Sequence, residues 1–544
     1  MSSPDYANLS VLIVDDFHNF RTTLAKNMYA LGFRSINSVS SGNEAINLCR
    51  KNHYDVILSD YNLGSGKTGQ QFLEEMRFRK MVKRSDIFML ISADTSRDVV
   101  MASYDCEPSD YLSKPITGKT LEQRIKRQMA KRTELVNIYQ AIDDNNNSRA
   151  IRLLEEALLK QSRYTVDCQK LLGELYIQEQ RYDDAELLYI KVLEARDLDW
   201  AQVGLANVDL ERGKLDDAVN ALDYIVQDYP AYLKAYDCLS KAYTTLGDSE
   251  KLQLTLEQAA AISPMSIGRQ KNLADTALAN GDIEIAMKAY KKTIKYGANS
   301  HYDTVDNHLN LARAITKIYD NDIDTAQIAS LDARKLLNGI DNQYNINEEQ
   351  KIQAKLLHSQ INAMNGNKRI SDELFTEAKQ LIDDSPERNV INEIEAANAL
   401  MASGNFVKAK EALQEMLVFY QHDQLALEKI DPLLEEPVSE KGKKLSSGDF
   451  SQSINYFLKA QKKYPRYIGL KLNLIQAIIG EVKERGITEE YENICSSTFK
   501  VVERYVGSDS DKYQRYKQLK LMYRQVVIQA DNNIVNQHNE EKRL

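Results

Sequence analysis

Cysteine is scarce in this 544-residue sequence and follows no pairing pattern. No two cysteines form a Cys-x-x-Cys motif, so the sequence indicates neither a zinc site nor a disulfide framework. A reducing compartment fits this pattern best, and we expect the protein to be cytoplasmic. The five cysteines are Cys49, Cys106, Cys168, Cys238 and Cys495.

Long apolar runs are also missing from the sequence. No stretch approaches the ~18 apolar residues that cross a bilayer. The N-terminal residues lack the basic and apolar segments of a signal peptide. We therefore expect no membrane insertion.

The sequence also lacks an excess of basic residues, and it contains few turn-forming residues. The formal net charge is −9, whereas a protein that binds nucleic acid through phosphates needs a basic surface. The sequence therefore argues against nucleic acid as a partner. With only 9 prolines and 22 glycines, a long all-β protein is disfavoured and helix is expected to dominate.

The chain is too long for one hydrophobic core, because single cores stop growing near ~250–300 residues. Up to residue 116, short apolar runs alternate with segments of helical spacing. This alternation predicts an α/β doubly wound domain with a five-stranded parallel sheet. The predicted strands are Leu9–Val14, Ser35–Val39, Val56–Ser59, Ile87–Ser92 and Asp110–Leu112.

Charged and polar residues end several of these strands. The carboxyl ends of parallel strands meet at one edge of a doubly wound sheet, so these side chains should lie together. Phosphoryl transfer to a carboxylate needs a nucleophile, a divalent metal site and a cation near the phosphoryl oxygens. The sequence supplies these groups at the predicted edge in Asp15, Asp16, Asp60, Ser92 and Lys114.

In the motifs VLIVDD, VILSDYN, FMLISAD and DYLSKP, residues 9–130 resemble the receiver domain of bacterial two-component response regulators. The resemblance implies that Asp60 is the phospho-acceptor and that Lys114 and Ser92 contact the phosphoryl group. It also implies that Ser92 and Tyr111 form the switch pair, and that a cis bond precedes Pro115.

The same resemblance implies a Mg²⁺ cofactor. Its ligands are expected to be Asp15, Asp16 and Asp60, together with the backbone carbonyl of Asn62. Oxygen ligands of this kind suit Mg²⁺, which usually keeps several waters.

Two segments depart from the family pattern. The loop after Asp60 lacks the usual proline near Gly64 and has one extra residue before Gly69, and Glu107-Pro108 replaces a frequent Gly-Ala pair. These departures leave partner choice and phosphate lifetime open. The GSGKT segment in that loop resembles the end of a P-loop, but Tyr61 occupies the position of the first glycine, so we reject nucleotide binding.

Beyond residue 117 a pattern of small, large and apolar residues recurs at intervals of 33 to 35 residues. This period and pattern resemble the tetratricopeptide repeat, a helix–turn–helix unit of 34 residues. We expect small residues to let paired helices approach closely. The recurring sets are Ala150/Leu154/Ala157, Ala185/Tyr189/Val192, Ala218/Leu222/Ile225, Leu252/Leu256/Ala259 and Ala286/Tyr290/Thr293.

The sequence therefore predicts a receiver domain over residues 1–130, followed by an all-α tetratricopeptide-like helical solenoid. Regular repeats are predicted for 131–300 and irregular helical repeats for 301–544, with a break near 431–440. Because neither Gly nor Pro lies between Lys119 and Asp143, the last receiver helix is predicted to run directly into the first repeat.

These features predict a response regulator that a sensor histidine kinase or a phosphotransfer protein phosphorylates. Its output is expected to be contact between the repeats and an unknown protein partner, with no enzyme activity beyond its own phosphorylation and dephosphorylation. An alternative is a phosphotransfer catalyst or phosphate sink whose repeats only localise it. The intact acidic and basic residues disfavour a third possibility, a scaffold that no longer signals; a homodimer remains open.

Overall fold

The chain forms two compact units in a computed structural model. The first consists of Met1–Thr276 with Lys292–Asp303, and the second of Ala277–Lys291 with Thr304–Leu544. The structure describes residues 6–64, 66–318, 330–331, 333–430, 433–434, 450–464, 467–505 and 511–541.

The first unit begins with a five-stranded parallel sheet in the order β2-β1-β3-β4-β5. The predicted fold class is confirmed, and each strand end lies within one residue of its predicted position. The three central strands are rich in Val, Ile, Leu and Met, as expected for strands covered on both faces. The strands are β1 (Ser10–Val14), β2 (Ser35–Val39), β3 (Val56–Asp60), β4 (Ile87–Ser92) and β5 (Asp110–Ser113).

Side chains of β1 alternate between two hydrophobic cores, one on each face of the sheet. Val11 and Ile13 pack in the core that α1 and α5 cover. Leu12 and Val14 pack in the opposite core, which includes residues of α2 and α3. The receiver-region helices are α1 (His18–Leu31), α2 (Gly42–Cys49), α3 (Gly69–Phe78), α4 (Arg97–Asp105) and α5 (Gly118–Asp143).

Helix α5 is a single helix of 26 residues, which confirms that no break separates the receiver region from the first repeat. Leu121 and Ile125 near its start are buried in the sheet core. Leu135 and Ile138 near its end are buried in the core of the first repeats. One rigid element therefore belongs to two hydrophobic cores.

The region after α5 consists of paired helices, as the repeat period predicts. The Tyr189 side chain fills the space beside two glycines. A Cβ added to Gly173 would lie 2.3 Å from the Tyr189 hydroxyl, and a Cβ added to Gly204 would lie 2.4 Å from the Tyr189 ring. The two glycines thus leave the space that the Tyr189 ring occupies. The helices are α6 (Asn147–Leu159), α7 (Thr165–Gln178), α8 (Tyr182–Ala195), α9 (Asp199–Glu211), α10 (Leu215–Asp228), α11 (Leu233–Leu246), α12 (Ser249–Ile262), α13 (Ile267–Asn280) and α14 (Ile283–Gly297).

The described residues from 305 onward form helices and no strand. Two successive helices in this region form a pair in which Ala397, Ala409 and Leu413 share one core. The helices are Val305–Ile318, Ile340–Gln343, Glu348–Met364, Lys368–Asp384, Val390–Ala402, Phe406–Phe419, Gln424–Ile430, Phe450–Lys463, Ile468–Arg485, Glu489–Tyr505 and Asp511–Glu541.

Some predictions fall beyond the described residues. Most of the predicted break at 431–440 lies outside them. The three-region division of the chain therefore stays a prediction. Among the described helices, none combines the length and the apolar character needed to span a bilayer.

Candidate functional site

Two buried carboxylates and a lysine meet at the carboxyl edge of the sheet. The Nζ atom of Lys114 lies 3.0 Å from Oδ2 of Asp15 and 3.1 Å from Oδ2 of Asp60. Asp15 is 1% exposed and Asp60 is 6% exposed, so water screens these charges weakly. The structure thus brings together three residues that are distant in sequence, as the strand order predicted.

Backbone groups fix both carboxylates. Oδ1 of Asp60 accepts a hydrogen bond of 3.0 Å from the amide of Tyr61. Oδ1 of Asp15 accepts one of 2.8 Å from the amide of Phe17. One oxygen of each carboxylate is therefore held by the chain that follows it, and the other contacts Lys114.

Burial raises the pKa of the Asp60 carboxyl to about 6, although the hydrogen bond and the charge of Lys114 oppose this rise. The charge of Asp15 raises it further. Burial alone would lower the pKa of Lys114, but its bonds to both aspartates raise it overall. Lys114 therefore remains a cation, and Asp60 is mostly a carboxylate above pH 6.

The oxygens at this edge fit a small divalent cation. One carboxylate oxygen from each of Asp15, Asp16 and Asp60 lies within 4.8 Å of the others. Asp16 is exposed whereas the other two are buried, so the cluster opens to solvent on one side. Such hard oxygen donors with access to water suit Mg²⁺. The Asn62 side chain accepts from the Gly64 amide at 3.2 Å and stays within its own loop.

The loop after Asp60 returns tightly to the end of β3. The amide of Gly69 donates to the carbonyl of Tyr61 at 2.8 Å. A Cβ on Gly69 would lie 2.1 Å from the backbone oxygen of Asp60, so only glycine fits there. Thr68 and Gln71 form a capping box that begins α3.

The predicted switch residues meet at Asp94. Ser92 Oγ donates to the Asp94 carbonyl at 3.1 Å and accepts from the Asp94 amide at 3.0 Å. The Tyr111 hydroxyl donates to the same carbonyl at 2.9 Å. The Lys114–Pro115 bond is cis, as the resemblance implied.

A cavity of about 790 Å³ opens in front of these groups. Asp60, Asn62, Ser92 and Lys114 line it, as does Met265. Sequence reasoning did not find Met265, because nothing near it in the sequence marks a site. It also missed Phe20, whose ring centroid lies 4.2 Å from Lys114 Nζ.

A family model for the response regulator receiver domain matches residues 11–126. Residues 11–126 are a receiver domain. A model for the tetratricopeptide repeat matches residues 139–199, so such repeats follow the receiver domain. The presence of the two together is typical of signalling or adaptor proteins, and receiver domains generally bind Mg²⁺ at an acidic site.

Two curated chemotaxis proteins are similar to this chain over about the length of a receiver domain. Chemotaxis protein CheY-3 of Vibrio cholerae serotype O1 is 27% identical over 120 residues, which make up 22% of this chain and 91% of that protein. The probable chemotaxis protein CheY of Rhizobium etli is 26% identical over 118 residues. The match covers 22% of this chain and 90% of that protein.

Solved structures resemble both parts of the chain. Vibrio cholerae chemotaxis protein CheY4 is 25% identical with a TM-score of 0.21, and the match covers 22% of this chain and 97% of that one. A tetratricopeptide repeat protein from Parabacteroides merdae is 12% identical with a TM-score of 0.27, covering 49% of this chain and 98% of its own.

The repeats that follow the receiver domain contain a second cavity, of about 360 Å³. Most of its lining comes from α7, α9 and α11, the first helices of successive pairs, and Tyr189 of α8 and Tyr232 complete it. Trp200 forms part of the wall, and Lys170 Nζ lies 5.4 Å from the centroid of one of its rings. An aromatic ring beside a cation is the kind of anchor that protein interfaces favour.

Replacement of Asp15 with Asn is expected to weaken Mg²⁺ binding about tenfold or more, since even outer-shell losses cost 10–100-fold. The change removes one of two buried carboxylate charges but keeps an oxygen for the Phe17 amide. Calorimetric titration with Mg²⁺ measures the effect. Asp216→Asn, at an exposed position in α10, is the matched control, and equal affinities in all three proteins would contradict the site.

Proposed function

We propose that this protein is a response regulator that accepts a phosphoryl group on Asp60 from a sensor histidine kinase or a phosphotransfer protein. The output is binding of a partner protein by the repeats. The observation that carries the proposal is the buried contact of Lys114 with Asp15 and Asp60. A lysine held between two aspartates at the strand ends places a cation where phosphoryl oxygens would lie.

In this proposal a carboxylate oxygen of Asp60 attacks the phosphorus of a phosphohistidine. An O–P bond forms and the N–P bond breaks, and the imidazole nitrogen keeps the electron pair and takes up a proton. Lys114 stabilises the charge on the phosphoryl oxygens. When bound, Mg²⁺ offsets further negative charge there; Asp15, Asp16, Asp60 and the Asn62 carbonyl would hold it.

The phosphoryl group also changes what Ser92 can bind. Ser92 Oγ now donates to the Asp94 carbonyl, and Tyr111 donates to the same oxygen. A phosphoryl oxygen that accepts from Ser92 removes one of these two bonds. Asp94 and Tyr111 then rearrange together, and the conformational switch begins with this rearrangement.

The repeats receive this change through shared structure. Helix α5 contributes Leu121 to the sheet core and Leu135 to the repeat core, so the two cores cannot move independently at this helix. The cavity beside Trp200 offers a surface for a partner segment.

The alternative is a phosphate sink, in which turnover at Asp60 is the whole activity and the repeats only localise it. Quantitative affinity capture with the purified protein, with and without beryllofluoride as a phosphate mimic, separates the two. We expect the mimic to change the amounts of specific partners captured by the wild type and to leave those captured by Asp60→Asn unchanged. Identical captures in all conditions would favour the sink.

A further inference from the structure

The cavity in front of Asp60 has one wall that the receiver domain does not supply. Met265, in the turn between α12 and α13, lines this cavity together with Asp60, Ser92 and Lys114. Its side chain is half-buried and apolar. A residue of the repeats therefore lies at the phosphorylation site.

Two hydrogen bonds to one receiver carboxylate hold this turn. Asp105, the last residue of α4, accepts from Ser263 Oγ at 2.6 Å and from Arg269 Nη1 at 2.6 Å. The Asp105 and Arg269 side chains are each only 12% exposed. Charge-assisted bonds with so little water around them are among the stronger polar contacts in proteins. Ser263 and Arg269 flank Met265 in sequence, so they fix its position.

Arg269 is itself held in place. Its Nε and Nη2 atoms donate to the two oxygens of Asp237 at 3.0 and 2.8 Å. The guanidinium thus joins α11, α13 and the end of α4. Loss of Arg269 would remove one of the two bonds that hold the turn to Asp105, and it would leave every residue that lines the cavity in place.

The repeat region also contacts the loop after Asp60 and the start of α3. Gln71 Nε2 donates to the carbonyls of Tyr296 at 2.6 Å and Ala298 at 3.3 Å, while its Oε1 accepts from the Thr68 amide at 2.9 Å. Lys67, in the loop that departs from the family pattern, donates to the Asn299 carbonyl. The end of α4 and the loop after Asp60 therefore both bond to the repeat region.

We propose that Met265 is an access-determining residue for phosphorylation and dephosphorylation of Asp60, and that the Asp105–Arg269 contact positions it. This inference rests on the proposed role of Asp60. In-line displacement places the leaving group, or the attacking water, on the cavity side of the phosphorus. Met265 occupies part of that space with an apolar side chain, so it slows both entry of the donor and attack by water.

Met265→Ala tests this directly. We expect the initial rate of phosphate uptake from acetyl phosphate with Mg²⁺, and the rate of phosphate loss after donor removal, each to rise about fivefold or more, the lower end of typical coupling effects. Leu254→Ala, which truncates an exposed residue of α12, is the matched control and should behave as wild type. Wild-type rates in Met265→Ala would overturn the inference.

Arg269→Gln provides an independent second variant. We expect faster amide hydrogen exchange at Ser263, Met265 and Ser266, and the same direction of change in both phosphorylation rates as in Met265→Ala. Lys271→Gln is its control, because Lys271 pairs with Asp275 within α13. Faster exchange with unchanged rates would overturn the inference. If the wild type takes up no phosphate, both the proposed function and the access role of Met265 fail. If the wild type takes up phosphate and both variants do so at the wild-type rate, only the access role fails.

Discussion

Asp60→Asn will abolish uptake of a phosphoryl group from a small phosphodonor in the presence of Mg²⁺. An amide oxygen carries no negative charge and cannot form the acyl phosphate, whereas Asn keeps the size of the side chain. The buried contact of Lys114 with Asp60 is replaced by a neutral one, so the fold should survive. Intact-protein mass spectrometry measures the added phosphoryl mass directly.

The control for this variant removes a carboxylate elsewhere on the receiver domain. Glu122 is partly exposed in α5 and pairs with Lys126 of the same helix, so Glu122→Gln should take up phosphate as the wild type does. Phosphate that remains on Asp60→Asn at wild-type levels would show that another residue is the acceptor. Burial raises the pKa of Asp60 to about 6, so at a fixed Mg²⁺ concentration wild-type phosphate uptake should fall as the pH drops below that value, because the protonated carboxyl is a poor nucleophile.

Gly69→Ala is expected to distort the phosphorylation site more than a substitution on the protein surface would. A Cβ there would lie 2.1 Å from the Asp60 backbone oxygen and 2.9 Å from Ser59 Oγ, so β3 or the loop must move. Overpacking of this kind costs ~1–3 kcal/mol or more. We expect a lower free energy of unfolding for the receiver domain in denaturant, together with slower phosphate uptake.

Gly268→Ala is the matched control for Gly69→Ala. Gly268 also lies in the first turn of a helix, but a Cβ there meets only the Tyr302 hydroxyl, at 3.9 Å. It should unfold at the wild-type denaturant concentration or slightly above, because alanine favours helix over glycine. A Gly69→Ala protein as stable as this control would contradict the close approach of the loop to β3.

Local patterns account for most of what the sequence predicted. Apolar runs bounded by turns determine the strands, and parallel strands place their carboxyl ends together, so Asp15, Asp60 and Lys114 could be grouped from the sequence alone. The repeat period likewise predicted that small residues admit large ones, as Gly173 and Gly204 do beside Tyr189.

Contacts between the receiver domain and the repeats could not be predicted in the same way. Asp105 and Arg269 are 164 positions apart, and neither belongs to a periodic pattern or a motif. In the sequence, the two departures from the receiver-family pattern were the signal that pointed to these contacts. Glu107 contacts Lys234 at 2.7 Å, and Lys67 of the longer loop contacts the repeat region. Their partners depend on how the helices pack, which one sequence does not specify.

Hydrogen–deuterium exchange with and without beryllofluoride is the most direct test of the claim that chemistry at Asp60 controls the repeats. Wild-type protein with Mg²⁺ should show altered exchange in α11, α12 and α13 as well as around Ser92, and Asp60→Asn should show neither change. Altered exchange confined to the receiver domain of the wild type would contradict the claim, because the repeats would then be insensitive to the phosphorylation site.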